Sequence, residues 1–503
     1  MMYIRIFLVL ISYCCYIYGK PKNVLFLASD DMRPELSCYA GADFPSPVHP
    51  PMHTPNLDAL ARRSLLLKRA YVQQTVCSPS RTSLLTGRRP DTTHVYDLQR
   101  YWRNVGGNFT TIPQFFKENG YISAGMGKIF HPGQASNHDD PISWTLPYFH
   151  AKEYGWETNE KSWDAIPDVL LAEKPLLDSQ IAERAIKTLE SFAGGGKYSG
   201  TPFFLGVGFH RPHLPFVVPE SFFDLYPVGT VRLPDNPYAP VNMPEVAWIN
   251  YETEELGAYT DQRKLNCSGK INTTLPASDV LALRRAYYAA VSWTDHLVGV
   301  VVNKLRELGL ENNTIVSFWG DHGWQLGEHG EWCKHTNFEL ATHAPMMVHV
   351  PGLTDGGIAT DRLTEFVDLF PTLVEAAGFE PLPLCPEVSK DIRLCTEGRS
   401  LVPLMMNSRG PWKNAAFTQY PREQNGTHIM GYSMRTDKYR YTEWVEFIYA
   451  PVYKPIWGEL FGVELYDHVL DPEENWNHAY EPRYEHTRKT LSKQLRQGWR
   501  FAL

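Results

Sequence analysis

The 503-residue chain has no long apolar run after its first twenty residues, which excludes a later membrane-spanning helix. Near the start, one arginine precedes a mostly apolar stretch from Ile6 to Tyr18, and Gly19 ends that stretch. A stretch of this length is typical of a cleaved secretory signal and is too short to span a bilayer. We therefore predict a signal peptide over residues 1–19 and a mature protein with no membrane span.

Positive charge is not in excess, because 48 Lys and Arg residues face 56 Asp and Glu residues and the formal net charge is −8. This balance argues against nonspecific binding to nucleic acid or anionic lipid, and we predict no nucleic-acid partner. Repeats and low-complexity tracts are also lacking, and the 43% hydrophobic content is enough for a large packed core. An anionic substrate would have to be attracted by a local basic pocket.

Cysteine is scarce, with eight residues in the chain. Two of them, Cys14 and Cys15, lie in the predicted signal peptide. Cys385 and Cys395 bracket a short loop in a proline-rich segment, and we predict a disulfide between them. The pairing of three others stays open: Cys38, Cys267 and Cys333.

Five Asn-x-Ser/Thr glycosylation sequons occur along the chain. Behind a signal peptide they favour a glycosylated protein of the secretory route. The sequons begin at Asn108, Asn266, Asn272, Asn312 and Asn425.

Apolar runs alternate with helix-like segments through most of the chain. This alternation predicts an α/β fold with a large mixed, mostly parallel sheet sandwiched by helices. The predicted core strands are residues 24–28, 121–126, 203–209 and 315–319. The predicted helices are residues 56–67, 111–119 and 278–308, the last capped by Ser278 and ended by Gly309.

A proline-rich segment over residues 381–407 predicts the boundary to a smaller C-terminal domain. Beyond it, residues 432–444 alternate polar with larger side chains, as expected for antiparallel strands exposed on one side. We predict a catalytic domain over residues 20–400 and a C-terminal α+β subdomain, carrying an antiparallel sheet, over residues 401–503.

Ionisable residues follow each of the four predicted core strands. Because the carboxyl ends of parallel strands line the ligand crevice, residues distant in sequence are expected to meet there. In chain order these residues are Asp30 and Asp31, Lys128 and His131, His210, and Asp321 and His322.

Three of these residues are carboxylates, which would repel one another in a buried cleft unless a cation neutralised them. Oxygen ligands favour a hard ion such as Ca²⁺ or Mg²⁺ over Zn²⁺. Alternatively, Asp30 and Asp31 form a turn and Asp321 caps a helix. His322 is a less natural ligand for a hard ion than an amide oxygen would be.

Cys77 stands in the run Cys-Ser-Pro-Ser-Arg that ends at Arg81. We predict Ser78 as a helix N-cap, Pro79 at the first helical position and Gly87 just past the helix end. Cys77 would then lie at a helix N-terminus, where free N–H groups and the helix dipole favour an anion. The alternative is a structural thiol or half of a disulfide.

Lys334 follows a glycine-rich loop, residues 323–330, which begins directly after Asp321 and His322. A lone lysine is usually a solvated surface charge, but this context favours a place in the lining of an active site. Within the loop, Glu328 and His329 are interpreted as structural residues.

Together these motifs resemble type I sulfatases of the alkaline phosphatase superfamily, over residues from about 23 to 477. Within that family they are most similar to the branch that removes the 2-O-sulfate from terminal iduronate residues of heparan sulfate and dermatan sulfate. The segments are the Cys77 run, TGRRPDTT at 86–93, GKIFHP at 127–132, GFHRPH at 208–213, GEHGEW at 327–332, IMGYSMR at 429–435 and ELYD at 464–467.

The resemblance implies that a formylglycine-generating enzyme oxidises Cys77 during synthesis to Cα-formylglycine, an aldehyde that is hydrated at rest. It also implies Ca²⁺ as the metal, with the ligands Asp30, Asp31, modified Cys77, Asp321 and His322. One hydroxyl of the hydrated aldehyde attacks the sulfur of a sulfated glycosaminoglycan oligosaccharide, and the second hydroxyl allows sulfate to be eliminated.

The resemblance also implies roles for the surrounding side chains. Lys128 and Arg81 stabilise the developing charge, His210 with Lys334 protonates the leaving oxygen, and His131 takes the proton of the second hydroxyl. The expected substrate-binding residues are Lys128, His210, Lys334 and His335. His213 and His329 are interpreted as hydrogen-bonded core residues.

Three departures from the branch concern the uronate subsite rather than the sulfate chemistry. His335 stands where an aromatic residue tends to follow the lysine, His94 replaces a more basic residue, and residues 157–175 lack an expected cysteine pair. The alternatives are a sulfatase for another carbohydrate sulfate, a phosphodiesterase of the same superfamily, or an inactive secreted protein that binds sulfated glycans. An acidic compartment would keep a histidine acid protonated, so we expect the lysosome or the extracellular space.

Overall fold

The computed structural model describes residues 21–40, 49–249 and 255–503. The predicted signal peptide, residues 1–19, lies outside the described residues. Over the described ranges, none of the helices has the length and apolarity required to cross a membrane.

Seventeen strands are described, and they form one large sheet, one four-stranded sheet and three short pairs. In chain order they are β1 Asn23–Ser29, β2 Leu65–Leu67, β3 Ala70–Tyr71, β4 Ile122–Gly127, β5 Trp163–Ile166, β6 Phe203–Gly208, β7 Phe216–Pro219, β8 Thr314–Gly320, β9 Gln325–Leu326, β10 Trp332–Cys333, β11 Met346–His349, β12 Ile358–Thr360, β13 Thr364–Glu365, β14 Ala416–Gln424, β15 Thr427–Arg435, β16 Tyr439–Ile448 and β17 Lys454–Asp467.

The helices vary from single turns to one of 31 residues. Those described are α1 Pro55–Ala61, α2 Cys77–Thr86, α3 Pro90–Thr93, α4 Trp102–Val105, α5 Ile112–Glu118, α6 Leu177–Phe192, α7 Glu220–Phe223, α8 Thr260–Arg263, α9 Ala277–Glu307, α10 Glu339–Thr342, α11 Leu369–Ala376, α12 Val402–Met406 and α13 Glu485–Gln497.

The large sheet has seven strands in the order β12-β2-β11-β8-β1-β6-β4. The pairs β1–β6, β1–β8, β4–β6 and β12–β2 are parallel, and β11 runs antiparallel to both of its neighbours. The predicted α/β fold with a mixed, mostly parallel sheet is therefore confirmed. All seven residues of β1 are buried, as expected for a parallel strand covered on both faces.

Helices cover both faces of this sheet, and alternate residues of β1 enter different cores. Leu25 and Leu27 join one apolar cluster together with residues of α6 and α9. Val24 and Phe26 join a second cluster together with residues of α2, α5 and α11. The sheet is thus the middle layer of three, which is the predicted sandwich.

Two predicted helix boundaries are wrong. The helix expected over residues 56–67 ends at Ala61, and Leu65–Leu67 forms a strand that pairs with β11. A short apolar run suits a buried strand as well as a helix, and here backbone pairing decides. The long helix begins at Ala277 after Pro276, so Ser278 lies inside its first turn and is not its cap.

The four adjacent strands β8, β1, β6 and β4 end at the same level. Ser29 pairs with Gly320, Ala28 with Gly208, and Gly208 with Gly127. Gly127 has a φ of 67°, and a Cβ atom there would lie 2.0 Å from the carbonyl oxygen of Gly208. Only glycine fits this close approach, which brings the residues after β4 beside those after β6.

A second sheet lies in the C-terminal part of the chain. It is antiparallel, has the order β14-β15-β16-β17, and packs against α13 through a separate apolar cluster. This confirms the predicted antiparallel sheet, while the domain limits at residues 20–400 and 401–503 stay a prediction. The predicted disulfide between Cys385 and Cys395 is present, with 5.0 Å between the two Cα atoms.

Candidate active site

Cys77 lies at the centre of the charged residues that follow the strand ends. Its Sγ atom is 3.5 Å from Asp30 Oδ1, 3.5 Å from His322 Nε2, 3.5 Å from Lys128 Nζ and 3.4 Å from Lys334 Nζ. Asp30, His322 and Lys128 follow β1, β8 and β4, so the order of the large sheet brings them together, whereas Lys334 follows β10 of a separate two-stranded pair. The predicted convergence is therefore observed.

Helix α2 presents Cys77 to the site. The helix begins at Cys77 itself after Val76, so the prediction of Ser78 as N-cap with Pro79 at the first helical position is wrong by two residues. Pro79 is still tolerated because its missing N–H falls within the first turn, where helical N–H groups have no partner inside the helix. Gly87 ends the helix in the left-handed region with a φ of 64°, as predicted.

Five buried side chains around Cys77 form a set that could hold a metal ion. Their donor atoms all lie within 4.8 Å of one another. Asp31 reaches the set because its backbone turns into the left-handed region, with a φ of 61°. The set consists of Asp30, Asp31, Cys77, Asp321 and His322, the same five residues that the sequence predicts as metal ligands.

His322 is oriented for metal binding. Its Nδ1 lies 2.9 Å from the carbonyl oxygen of Gly323, which accepts a hydrogen bond from that nitrogen and leaves Nε2 to face the metal-ligand set. Nε2 lies 3.3 Å from Asp31 Oδ1 and 3.6 Å from Asp321 Oδ2. The ring therefore presents Nε2 to the carboxylates of the set.

The three carboxylates of this set lie beside three cations, Arg81, Lys128 and Lys334. Burial favours the neutral form of both Asp30 and Asp31. Lys128 and Arg81 nevertheless hold the pKa of Asp30 well below its ordinary value. The pKa of Asp31 is raised well above its ordinary value, because burial and the charge of Asp30 outweigh Lys334. A divalent cation is the group that this donor set fits.

Arg81 donates to protein groups through all three of its nitrogens. Its Nε donates to Asp321 Oδ2 at 2.8 Å, and one terminal nitrogen donates to Asp30 Oδ1 at 2.9 Å. The other terminal nitrogen donates to the backbone carbonyls of Lys128 and Ile129. With its side chain 1% exposed, Arg81 holds two carboxylates and the strand-end backbone in place. The predicted role of Arg81 in stabilising the developing charge stays a prediction.

Lys128 and Lys334 flank Cys77 from two sides. Lys128 pairs with Asp30, and Lys334 lies 2.8 Å from Asp31 Oδ1. These ion pairs raise the pKa of both ammonium groups above the ordinary lysine value, although burial alone would lower it. Both lysines are therefore charged, and each has a nitrogen within 3.5 Å of the thiol.

The predicted histidines lie in different surroundings. His131 has Nδ1 2.9 Å from the carbonyl oxygen of Pro132, and burial and Lys128 lower its pKa to about 4. The Nδ1 of His210 lies 3.1 Å from Asp178 Oδ1, and the backbone N–H of His210 donates to the same oxygen at 2.8 Å. Asp178 thus orients His210 through both its ring and its backbone.

His213, interpreted from sequence as a core residue, faces the charged cluster instead. Its Nε2 lies 3.8 Å from Asp31 Oδ2 and 4.0 Å from Glu255 Oε1. Its Nδ1 lies 2.5 Å from the carbonyl oxygen of Leu214. Burial and Lys334 lower the pKa of His213 to about 3. The His-x-x-His spacing in the GFHRPH motif was the signal for this residue, but it does not say which of the two rings turns inward.

Glu255 was missed altogether. Its Oε1 lies 2.9 Å from Lys334 Nζ and 3.9 Å from His335 Nε2. His335, predicted to bind substrate, is buried beside Glu255, and burial lowers its pKa to about 3. Glu255 follows no predicted strand and belongs to no motif, so the sequence holds no signal for it.

The chain matches two family models. The model described as Sulfatase matches residues 22–379, and the model described as N-sulphoglucosamine sulphohydrolase, C-terminal, matches residues 327–500. Iduronate 2-sulfatase of Mus musculus is 39% identical over 516 residues, covering 90% of each chain. Iduronate 2-sulfatase of Homo sapiens is 38% identical over 519 residues, again covering 90% of each chain.

Solved structures show the same fold. One, in complex with its substrate D-glucosamine-2-N,6-O-disulfate, superposes with a TM-score of 0.68 at 21% identity, covering 95% of this chain and 97% of the other. A phosphonate monoester hydrolase from Silicibacter pomeroyi superposes with a TM-score of 0.69 at 20% identity, covering 96% of each chain.

Proposed function

Because this chain belongs to the sulfatase family and is a sulfatase, we propose that it removes the 2-O-sulfate from terminal iduronate residues of heparan sulfate and dermatan sulfate. The observation that carries the proposal is Cys77, which lies among four other candidate metal ligands and two lysine ammonium groups. The choice of substrate rests on the 38–39% identity to two iduronate 2-sulfatases.

We propose Ca²⁺ as the metal. Three carboxylates with a thiol and an imidazole form a donor set rich in oxygen, which suits a hard ion. Asp30, Asp31, Asp321, His322 and the modified Cys77 would hold it. When bound, the cation supplies charge that stabilises an ionised nucleophile and the sulfate oxygens.

Conversion of Cys77 to formylglycine explains why a poor nucleophile occupies this position. Burial raises the pKa of the Cys77 thiol to about 12, so the unmodified side chain is neutral and weakly nucleophilic at acidic or neutral pH. The hydrated aldehyde supplies a nucleophilic hydroxyl and a second hydroxyl through which sulfate is released. A formylglycine-generating enzyme is the proposed partner during synthesis.

Lys128 and Lys334 are the groups that bind sulfate oxygens in this proposal. Their Nζ atoms lie 3.5 Å and 3.4 Å from the Cys77 sulfur. Lys128 is paired with Asp30, and Lys334 is paired with Asp31. Fixed charges in a dry site need no reorganisation when charge develops on sulfur. Arg81 does not bind the sulfate in this proposal, because its N–H groups hold Asp30 and Asp321.

We propose His213, with Lys334, as the acid for the leaving oxygen in place of His210. The ring of His213 faces the cluster, whereas His210 is tied to Asp178. The low pKa of His213 describes the protein without substrate, and a sulfate ester beside the ring adds negative charge that raises it. His131, with a pKa lowered to about 4, is neutral at pH 5 and suited to accept a proton.

We propose that the protein follows the secretory route to the lysosome as a glycoprotein. The support is the predicted signal peptide together with the surface position of the sequons. All five sequon asparagines are exposed: Asn108, Asn266, Asn272, Asn312 and Asn425.

Mass spectrometry of the peptide that contains Cys77, followed by an assay on a 2-sulfated uronate disaccharide, tests the proposed function. The proposal expects the mass of formylglycine and release of inorganic sulfate, with far slower release of phosphate from a phosphate diester. An unmodified thiol with binding but no turnover would identify an inactive glycan-binding homologue. Turnover of a different sulfated sugar would overturn the iduronate assignment alone.

A further inference from the structure

Glu255 is a partly buried carboxylate next to the proposed reaction centre that the mechanism above does not use. Its side chain is 21% exposed. Its three charged or imidazole neighbours all face the same oxygen, Oε1: Lys334 at 2.9 Å, His335 at 3.9 Å and His213 at 4.0 Å. The carboxylate is therefore anchored through one oxygen.

The second oxygen of Glu255 is different. Oε2 is shielded from solvent and has no hydrogen-bond partner within the described ranges. A buried acceptor without a donor costs about 1–3 kcal/mol, so such an atom requires an explanation. Oε2 has unused capacity for a donor that arrives with a ligand.

Lys334 connects this carboxylate to the reacting group. An ammonium has three N–H donors, and those of Lys334 have three neighbours: Asp31, Cys77 and Glu255. The ammonium group of Lys334 thus contacts both Glu255 and the Cys77 sulfur. A sugar group that interacted with Glu255 would therefore have to lie close to a sulfate ester placed at Cys77.

The charge of the Glu255 carboxylate determines which kind of substrate group it can bind. Lys334 holds the pKa of Glu255 below its ordinary value although burial would raise it, so the carboxylate is ionised. An ionised carboxylate accepts hydrogen bonds only and repels sulfate and uronate carboxylate groups. A neutral hydroxyl is the complementary donor.

We propose that Glu255 orients the substrate by accepting, at Oε2, a hydrogen bond from the sugar hydroxyl adjacent to the sulfate ester. This inference rests on the proposed sugar-sulfatase function and adds a determinant that distinguishes sulfated sugars from sulfate esters without a neighbouring hydroxyl. Glu255 is a substrate-orienting residue in this role, and Oε1 keeps Lys334 in position.

The experiment compares Glu255→Gln and Glu255→Ala with wild type on three substrates. These are a 2-sulfated uronate disaccharide, the same disaccharide lacking the hydroxyl adjacent to the sulfate ester, and 4-nitrophenyl sulfate. On the complete disaccharide we expect both variants to lower kcat/KM by about ten- to a hundredfold, mainly through KM, which corresponds to one hydrogen bond to a charged group. On 4-nitrophenyl sulfate, which has no hydroxyl beside the ester, we expect a clearly smaller loss, limited to the part that arises because Lys334 loses its partner Glu255.

The disaccharide without the adjacent hydroxyl tests whether Glu255 and that hydroxyl interact with each other. Wild type is expected to lose about the same ten- to a hundredfold on it, whereas Glu255→Ala loses little more, because the bond is already absent. Additive losses, or an equal fall of kcat on all three substrates, would overturn the inference and leave Glu255 as a counter-ion of Lys334.

Glu311→Gln is the matched control. Glu311 is a carboxylate of similar exposure, 17%, and is paired with Arg63. It precedes β8 and so lies at the N-terminal ends of the strands, whereas the site lies at their C-terminal ends. It should retain wild-type rates and melting temperature. If the wild-type protein turns over 4-nitrophenyl sulfate but neither disaccharide, the proposed function fails. If a Glu255 variant keeps the wild-type kcat/KM on the complete disaccharide, only the inference about Glu255 is rejected.

Discussion

The ammonium of Lys334 lies 3.4 Å from the sulfur of Cys77, although 257 residues separate them in the chain. Cys77 begins α2, and Lys334 directly follows β10. The contact joins the N-terminus of α2 to the residue after β10. The proposed position of the sulfate ester is beside this contact. Its first consequence concerns Cys77 itself.

Cys77→Ala should abolish sulfate release while the protein stays folded. The side chain is the proposed precursor of the nucleophile, and removal of a nucleophile lowers kcat by at least about 10⁴-fold. Sulfate release measured by ion chromatography, together with the thermal melting temperature, checks this. Cys38→Ala, which changes a cysteine outside the cluster, is the control, and residual activity near wild type in Cys77→Ala would refute the proposed nucleophile.

Calcium should stabilise the folded protein. A ligand that binds only the folded state at about a hundred times its Kd adds about 2.7 kcal/mol of stability. We expect the melting temperature to rise with CaCl₂ and to fall when EDTA removes the ion. Asp321→Asn removes one charge from the donor set and should reduce this calcium-dependent shift; an unchanged shift would place the ion elsewhere.

Arg81→Ala should destabilise the protein in a calcium-dependent way. Without the guanidinium, Asp30 and Asp321 lose a buried partner, and breaking a buried ion pair costs about 3–5 kcal/mol. Chemical denaturation with and without CaCl₂ measures the loss. The ion should restore part of the stability, whereas a variant as stable as wild type in EDTA would contradict the positioning role.

His213→Gln should lower kcat more than His210→Gln does. The ring of His213 faces Asp31, and loss of a general acid lowers the rate by about 10²–10⁴-fold. The loss should be smaller on an aryl sulfate, since its leaving oxygen needs no proton. Steady-state kinetics on both substrates test the assignment, and the reverse order of the two variants would return the acid role to His210.

Glu464 should make stability depend on pH. Burial raises the pKa of this carboxyl from its ordinary 4.5 to about 7, although Trp444 and Tyr466 donate hydrogen bonds to it. The folded state therefore binds the proton more tightly than the unfolded state. The stability that this proton contributes is fully present below pH 4.5 and is lost as pH rises through 7, by about 3 kcal/mol.

Glu464→Gln isolates this effect from the other titrating groups, because the same histidines titrate in both proteins. The free energy of unfolding of wild type relative to the variant should fall between pH 4.5 and pH 7.5. Denaturation at several pH values measures the difference. A difference that does not change with pH would show that Glu464 is ionised in the folded protein.

Much of the fold and of the cluster could be predicted because the signals are local. A strand that is apolar throughout and then ends in Asp30 and Asp31 indicates a buried parallel strand with its tip at a ligand crevice. The same pattern located Lys128 and Asp321. The helix predicted across residues 56–67 was wrong because a run of three leucines suits either structure, and only pairing with β11 decides between them.

The roles of individual side chains were harder to predict. Arg81 belongs to the motif, yet its hydrogen bonds to Asp30 and Asp321 depend on how far α2 lies from the strand ends. His210 and His213 are equally placed in sequence, and the backbone turn after β6 directs one to Asp178 and the other to Asp31. A motif gives the residue type, and the direction of a side chain follows from packing.

The sequence alone determined the α/β fold and the resemblance to sulfatases and singled out Cys77 as the candidate nucleophile, because short motifs and strand patterns depend on neighbouring residues. Only the tertiary structure decided that Arg81 serves the carboxylates, that His213 turns inward and that Glu255 joins Lys334. Ion pairs and hydrogen bonds depend on separations of a few ångströms between distant segments, and the packing of the whole chain sets those separations.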